Sequence, residues 1–219
     1  MNVDFHVSAR KKLYEMLQSG SLLVIFSGEE IRKTNDEYYP FFADRNFVYL
    51  TGLECKQAIL LAIKDSENTV FERLYLLPPD AHAERWTGKR IRPQEAESIS
   101  GIKDVRYINS FEMDLHTFAT SGNFGMLYLD LYRCSPKDLD RPAHHLLKNI
   151  QCEYPYLQIG NANDFIRSLR TIKQPCEIEA LREAEKITRE GILAMMRVSR
   201  SGMYEYQYKA EFDRALGQF

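Results

Sequence analysis

The feature that most limits the fold of this chain is a series of short apolar runs, several of them closed by glycine or proline. They are SLLVIFSG (21–28), QAILLAI (57–63), ERLYLLPP (72–79) and GMLYLDLY (125–132). Runs of this length are too short for typical helices, and their unbroken apolar character suits strands covered on both faces. QAILLAI and ERLYLLPP carry that pattern most strongly. RNFVYLTG (45–52), rich in aromatic and β-branched residues and ending at Gly52, reads as another strand, and DVRYI (104–108) as a further one.

Between these runs the spacing turns helical. Leu13, Met16 and Leu17 form one stripe, and RPQEAESIS (92–100) places Pro93 in a first helical turn with Gly101 behind it. Helices are also expected over about 109–120 and in RPAHHLLKNI (141–150), and YPYLQIGNANDFIRSLRTI reads as strand, turn and helix. From Pro175 a long amphipathic helix carries Ile178, Leu181, Ile187, Ile192 and Met195/Met196 on one stripe. A second helix follows Gly202, with Tyr204, Tyr208, Phe212 and Leu216 four apart. The organisation is an α/β domain over 1–168, a linker over 169–175 and a helical unit over 176–219. Two helices with wide apolar faces need a surface to pack on.

Composition excludes several functions. Hydrophobic residues make up 44% of the chain, enough for a packed core, and the net charge of −2 gives no basic field for nucleic acid. No apolar run reaches the roughly 18 residues of a membrane span. Four cysteines lack any C-x-x-C pair and no signal-peptide pattern opens the chain, which together suggest reduced thiols in the cytoplasm.

Motifs of nucleophilic or phosphate chemistry are missing: no G-x-S-x-G, G-x-x-x-x-G-K-[ST] or G-x-G-x-x-G is present. Asp130, Asp138, Asp140, His144 and His145 offer carboxylates and imidazoles to a divalent ion, but without a tight ligand spacing. The plainer reading is a polar loop before a helix. His6, His82 and His116 are isolated and are expected at the surface or in local hydrogen bonds. The sole tryptophan, Trp86, stands in HAERWTGKRI (82–91) among charged residues, on what reads as a loop. A flat apolar surface beside Gly88, Lys89 and Arg90 suits a ligand that is partly apolar and partly anionic, such as a peptide with its carboxylate. On composition alone, an indole folded back on its own domain is the plainer alternative.

Four stretches in order carry a resemblance. YYPFFADRNFVYLTGL (38–53), RWTGKRI (85–91), LRTIKQPCEIEALREAEKIT (169–188) and SGMYEYQYKAEFDRAL (201–216) together resemble the start of aminopeptidase P and its relatives, the prolidases and creatinases. The resemblance implies a creatinase/prolidase-type N-terminal domain, a mixed β-sheet flanked by helices, followed by two helices of an incomplete pita-bread domain. It implies a parent Xaa-Pro metallopeptidase that uses two divalent ions, of manganese type, to cleave N-terminal residues from proline-containing peptides. The ion ligands are expected beyond Phe219, so the 219 residues should be inactive by themselves and hold no cofactor.

By the same resemblance the domain assembles dimers or tetramers and gates substrate. Trp86 would wall a neighbouring subunit's pocket in trans, with Arg90 and Asn46 as further substrate-binding candidates. Aminopeptidase, dipeptidase and non-peptidase relatives are left open, as is a stand-alone interaction module. Gln174 stands where the family has serine before Pro175, which forfeits a preferred N-cap at a cost of about 1 kcal/mol.

Overall fold

The computed structural model describes residues 1–219. Helices are α1 (Val3–Met16), α2 (Arg45–Thr51), α3 (Glu84–Thr87), α4 (Pro93–Ser100), α5 (Phe111–Thr120), α6 (Pro142–Glu153), α7 (Asn163–Thr171), α8 (Pro175–Val198) and α9 (Glu205–Leu216). Strands are β1 (Ser21–Phe26), β2 (Ile59–Lys64), β3 (Val70–Leu76), β4 (Asp104–Tyr107), β5 (Met126–Leu129) and β6 (Gln158–Asn161). The chain divides into two compact units, Asn2–Thr171 and Ile172–Phe219.

In the first unit all six strands form one mixed sheet in the order β4-β3-β2-β1-β5-β6. Only β2 runs against its neighbours; the others are parallel. The reversal at β2–β3 is a tight turn, in which the Asp65 carboxylate accepts from the N–H groups of Glu67 and Thr69 and Asn68 adopts positive φ.

Strand alternation sorts the side chains into two layers. On one face Leu22, Val24, Ile59, Leu61, Tyr75, Leu127 and Leu129 pack with Phe111 and Leu115 of α5 and Ile150 of α6. The intervening residues face α1, α2, α4 and α7. Thus Tyr128 meets Phe165 of α7 edge-on at 5.8 Å. Lys64, the one charged residue of β2, sends its ammonium to the carbonyls of Tyr14 and Leu17 at the end of α1 (3.0 and 2.7 Å). A buried cation there satisfies carbonyls that a helix end leaves open and complements its dipole.

Helix α1 is anchored mainly by Arg10, whose side chain is 1% exposed. Its guanidinium grips both Glu72 oxygens on β3 (2.9 and 3.2 Å) and donates to the Leu50 carbonyl of α2 (2.7 Å). Two helix ends are fitted against the same helix. Gly52 and Gly101, the left-handed residues that close α2 and α4, have no room for a Cβ: it would fall 2.6 Å from the His6 ring and 2.8 Å from Val7 respectively. Of the two expectations for His6, surface exposure or a hydrogen bond, the structure shows a hydrogen bond: the ring is buried and its Nδ1 meets the Tyr49 carbonyl (2.9 Å).

Two strand expectations are corrected. RNFVYLTG is α2, because the Asp44 carboxylate caps the N–H groups of Asn46 and Phe47 and Gly52 supplies the left-handed stop. Strand β3 is fully buried only from Leu74 to Leu76; its first residues lie partly open, beyond the point where β4 begins to pair at Arg73.

In the second unit α8 and α9 pack on each other and run antiparallel. Phe212 and Leu216 lie over Gly191, where a Cβ would stand 2.6 Å from the Phe212 ring, and Ser199 meets the Tyr208 hydroxyl at 3.0 Å. The lost serine cap is partly offset by Glu177, whose carboxylate accepts from the Gln174 N–H (2.9 Å). Ile178, Leu181, Ile192 and Met196 remain exposed.

Removing one partner of a buried ion pair strands the other charge, a loss of about 3–5 kcal/mol. Arg10→Ala should lower the unfolding free energy by that order in urea titration. Burial of His6 lowers its pKa below the usual histidine value. The unfolded chain therefore takes up the proton first, and the His6 contribution, complete above about pH 6.5, is lost as the pH falls through the folded value. The urea midpoint should decline over that range, and His6→Gln should remove part of the slope.

Candidate functional site: the Trp86 turn and its cleft

Strand β3 leads into Pro78–Pro79, which cannot continue a ladder. Asp80 then starts a single helical turn: its Oδ1 accepts from the N–H groups of His82 and Ala83, both at 3.0 Å. The turn is α3, so HAERWTGKRI is not the irregular loop expected. Thr87 closes it by donating from both N–H and hydroxyl to the Ala83 carbonyl. Gly88, at φ 84°, redirects the chain toward α4.

This short turn is tied down by charge. Glu84 receives Arg92 with both oxygens, Nη1–Oε1 at 2.7 Å and Nη2–Oε2 at 2.9 Å. That fork holds the Glu84 carboxyl down to a pKa of about 2. Arg90 donates to the Pro78 carbonyl (2.6 Å) and approaches Asp80 (3.7 Å), joining the two ends of the segment. Trp86 stands on top, 82% exposed, flanked by the exposed Arg85 and Lys89.

Beneath the turn lies a cleft of about 270 Å³ outside the carboxyl ends of β1 and β3. Leu76, Leu77, Phe41 and Cys55 line it, with the Lys56–Glu30 ion pair (2.7 Å) and the chain from Thr87 to Ile91. Burial pushes the Cys55 thiol up to about 11, so it is an apolar wall at neutral pH. The segment after β1 borders the same cleft through Glu30 and Phe41 and exposes Ile31, Tyr39 and Phe42 nearby in sequence.

Of the other expected site residues, Arg90 lines this cleft but is committed to Pro78 and Asp80. Asn46 is buried elsewhere. Its amide donates to Asp130 Oδ2 (2.6 Å) and accepts from Arg170 (2.6 Å), while Asn163 donates to Asp130 Oδ1 (3.1 Å). Asp44 borders this network through its ion pair with Arg141 (3.2 Å), and burial followed by the charge of Asp130 raises its pKa.

Most charged groups of the polar stretch 130–145 are likewise paired, although His144 Nε2 is buried without a hydrogen bond. Asp138 accepts from the backbone of Cys134 and Ser135, Asp140 pairs with Arg133 and Lys148, and His144 Nδ1 accepts from the Arg141 N–H. No group of three or more His, Cys, Asp or Glu side chains is placed to hold a metal ion, and the carboxylates and imidazoles of 130–145 do not converge on one. The motifs also left Asp80, Glu84 and Arg92 unnoticed; their signal is an aspartate four residues before α3 and opposite charges on either side of a glycine.

The family described as the aminopeptidase P N-terminal domain matches residues 6–128, more than half of the chain. The chain belongs to this family. Among curated relatives of aminopeptidase P type, an Xaa-Pro aminopeptidase of Haemophilus influenzae is 27% identical over 96% of this chain and 47% of its own length. One from Escherichia coli K12 is 26% identical over 92% and 46%. This chain thus spans about half the length of those relatives.

Among solved structures, one described as a candidate aminopeptidase P from Bacillus anthracis superposes with a TM-score of 0.94 and 33% identity. It covers all of this chain and 52% of that one. Aminopeptidase P of E. coli with the inhibitor Pro-Leu gives 0.85 and 22%, covering all of this chain and 50% of that one, a likeness of fold. The mixed sheet flanked by helices is therefore the aminopeptidase P N-terminal fold. No helix is long and apolar enough to cross a membrane.

Because the Glu84 pKa is depressed, its ion pair is complete above the usual carboxylate range and weakens only as the pH falls toward about 2. The emission maximum of Trp86 should stay constant on acidification through about pH 4 and shift only toward that lower limit. A shift centred near pH 4.5 would mean an ordinary, unpaired carboxylate.

Proposed function

We propose that this chain is the oligomerisation and substrate-gating domain of an Xaa-Pro aminopeptidase, and that Trp86 forms part of the substrate pocket of a neighbouring subunit. The observation that carries the reading is an indole held outward on a braced turn, in a domain of the aminopeptidase P family. A tryptophan is costly to leave in water, and its broad face suits a proline ring or the apolar side of a peptide. The names of the relatives, Xaa-Pro aminopeptidases, support the substrate class.

Hydrolysis itself belongs to a second domain, outside these 219 residues, that carries two divalent ions of manganese type. Bound there, such ions would contribute Lewis-acid activation of water and of the scissile carbonyl. The part assigned here to this chain is different: to hold the peptide and exclude water at the mouth of the partner's site. Arg90 supports the turn from below and Asn46 braces the domain interior, so Trp86 is the residue we assign to substrate contact. Four free thiols fit a reducing compartment, and we place the enzyme in the cytoplasm.

In the complete enzyme, Trp86→Ala should leave fold and bound metal intact and lower kcat/KM on short proline peptides roughly thirtyfold, the scale of an aromatic anchor. Steady-state kinetics with metal analysis would check this. Unchanged kcat/KM would remove the trans role and favour an interaction module.

A further inference from the structure

Trp86 has no packing of its own that could fix its direction. It is 82% exposed, and the helix that carries it is four residues long. One isolated helical turn is unstable in water, because its nucleus costs more than its hydrogen bonds return. Something outside the turn must set where the indole points. The backbone ties at Asp80 and Thr87 hold the turn's shape but do not fix it to the rest of the domain. Arg90 reaches only Pro78 and Asp80, on the same segment.

The one side-chain tie from the turn to the following helix starts two residues before Trp86. Glu84 is joined to Arg92, and Arg92 occupies the N-cap position of α4. That helix is closed at its other end by Gly101 fitted against α1. The pair therefore connects the turn to the framework of the domain. Its side chains are 29% and 15% exposed for Arg92 and Glu84, and its geometry is a two-pronged fork. The Arg90 N–H also faces Glu84 Oε1 (3.4 Å), and Arg92 Nη1 donates to the Arg90 carbonyl (3.1 Å), so the same two side chains gather the segment after Gly88. A planar bidentate pair fixes orientation as well as distance, which a single-point contact between flexible chains does not.

We propose that the Glu84–Arg92 pair is a positioning latch that fixes the Trp86 turn to α4 and presents the indole in one orientation before substrate arrives. Neither residue touches substrate; both act through Trp86. The kinetic part of this inference rests on the trans role given above, whereas the structural part does not. Holding the indole in advance removes an ordering cost from binding, roughly a threefold to tenfold effect for one side chain.

The chain contains a single tryptophan, so its fluorescence reports on this turn alone. Time-resolved anisotropy and acrylamide quenching should be measured on the full chain for wild type, Glu84→Gln, Arg92→Lys and the exchanged pair Glu84→Arg/Arg92→Glu. Far-ultraviolet circular dichroism would verify that the fold is kept. Each single variant should at least double the amplitude of fast local anisotropy decay, with Arg92→Lys showing that charge without the fork is insufficient. The exchanged pair should recover most of the loss, which a merely space-filling role would not produce. In the complete enzyme, Glu84→Gln should raise KM threefold to tenfold with kcat nearly unchanged.

Wild-type anisotropy in both single variants overturns the latch, even if Trp86→Ala abolishes activity and the trans role stands. Loosened Trp86 in both variants, with activity untouched by them and by Trp86→Ala, keeps the mechanical latch and removes the trans role. A loosened indole with unchanged KM, in an enzyme that does need Trp86, overturns the claim that the latch prepares binding.

Discussion

The layer on one side of the sheet depends on Arg10. A guanidinium almost wholly removed from water must have its donors answered, and here two chain segments answer them, β3 through Glu72 and α2 through the Leu50 carbonyl, both gripped from α1. The arrangement fixes α1 along the sheet and α2 across its end at once. The close approach of Gly52 to His6 and of Gly101 to Val7 then follows, because α1 can sit where it does only if the two neighbouring helices end without side chains. Apolar burial supplies most of the stabilisation, but it is indifferent to direction; the buried charge selects one placement.

The strands were legible because a strand covered on both faces must be apolar along its length, and β5 is so throughout, β1 after Ser21 and β2 up to Lys64. Lys64 departs from that pattern for a local reason: it closes the end of α1. The failure at RNFVYLTG is equally physical. Aromatic and β-branched residues favour strands only weakly, and the signals that decided the outcome flank the run, Asp44 before it and Gly52 at its end. Caps outweighed composition. Family resemblance located Trp86, yet neither pattern nor resemblance pointed to Glu84 and Arg92, since an ion pair across a glycine-containing bend has no fixed spacing. Asn46, a candidate by resemblance, has its amide engaged by Asp130 and Arg170, a pairing that no spacing in the sequence announces.

The two polar assemblies of the first unit serve different ends. Around Asp130 each named donor meets an acceptor inside the protein, leaving little to offer a ligand. Around Trp86 the carboxylates of Asp80 and Glu84 are also paired, although Arg90 Nε is buried without a partner, and the turn holds outward a large apolar surface. A domain that only needed to be stable would bury that surface. Keeping it out, with a charged brace beneath, is what the contact proposed above with a neighbouring subunit requires.

The reversed strand β2 has a geometric effect on the cleft. Inserting one strand between β1 and β3 makes these two parallel strands second neighbours, so the segments leaving their carboxyl ends are rooted about 10 Å apart. That separation is a lattice constant of the sheet rather than a property of either segment. The chain from Glu30 to Phe41 and the Trp86 turn can therefore change length or composition while the gap at their base stays the same. The sheet acts as a ruler, and variation among relatives at this edge should alter what lines the opening and leave its width alone.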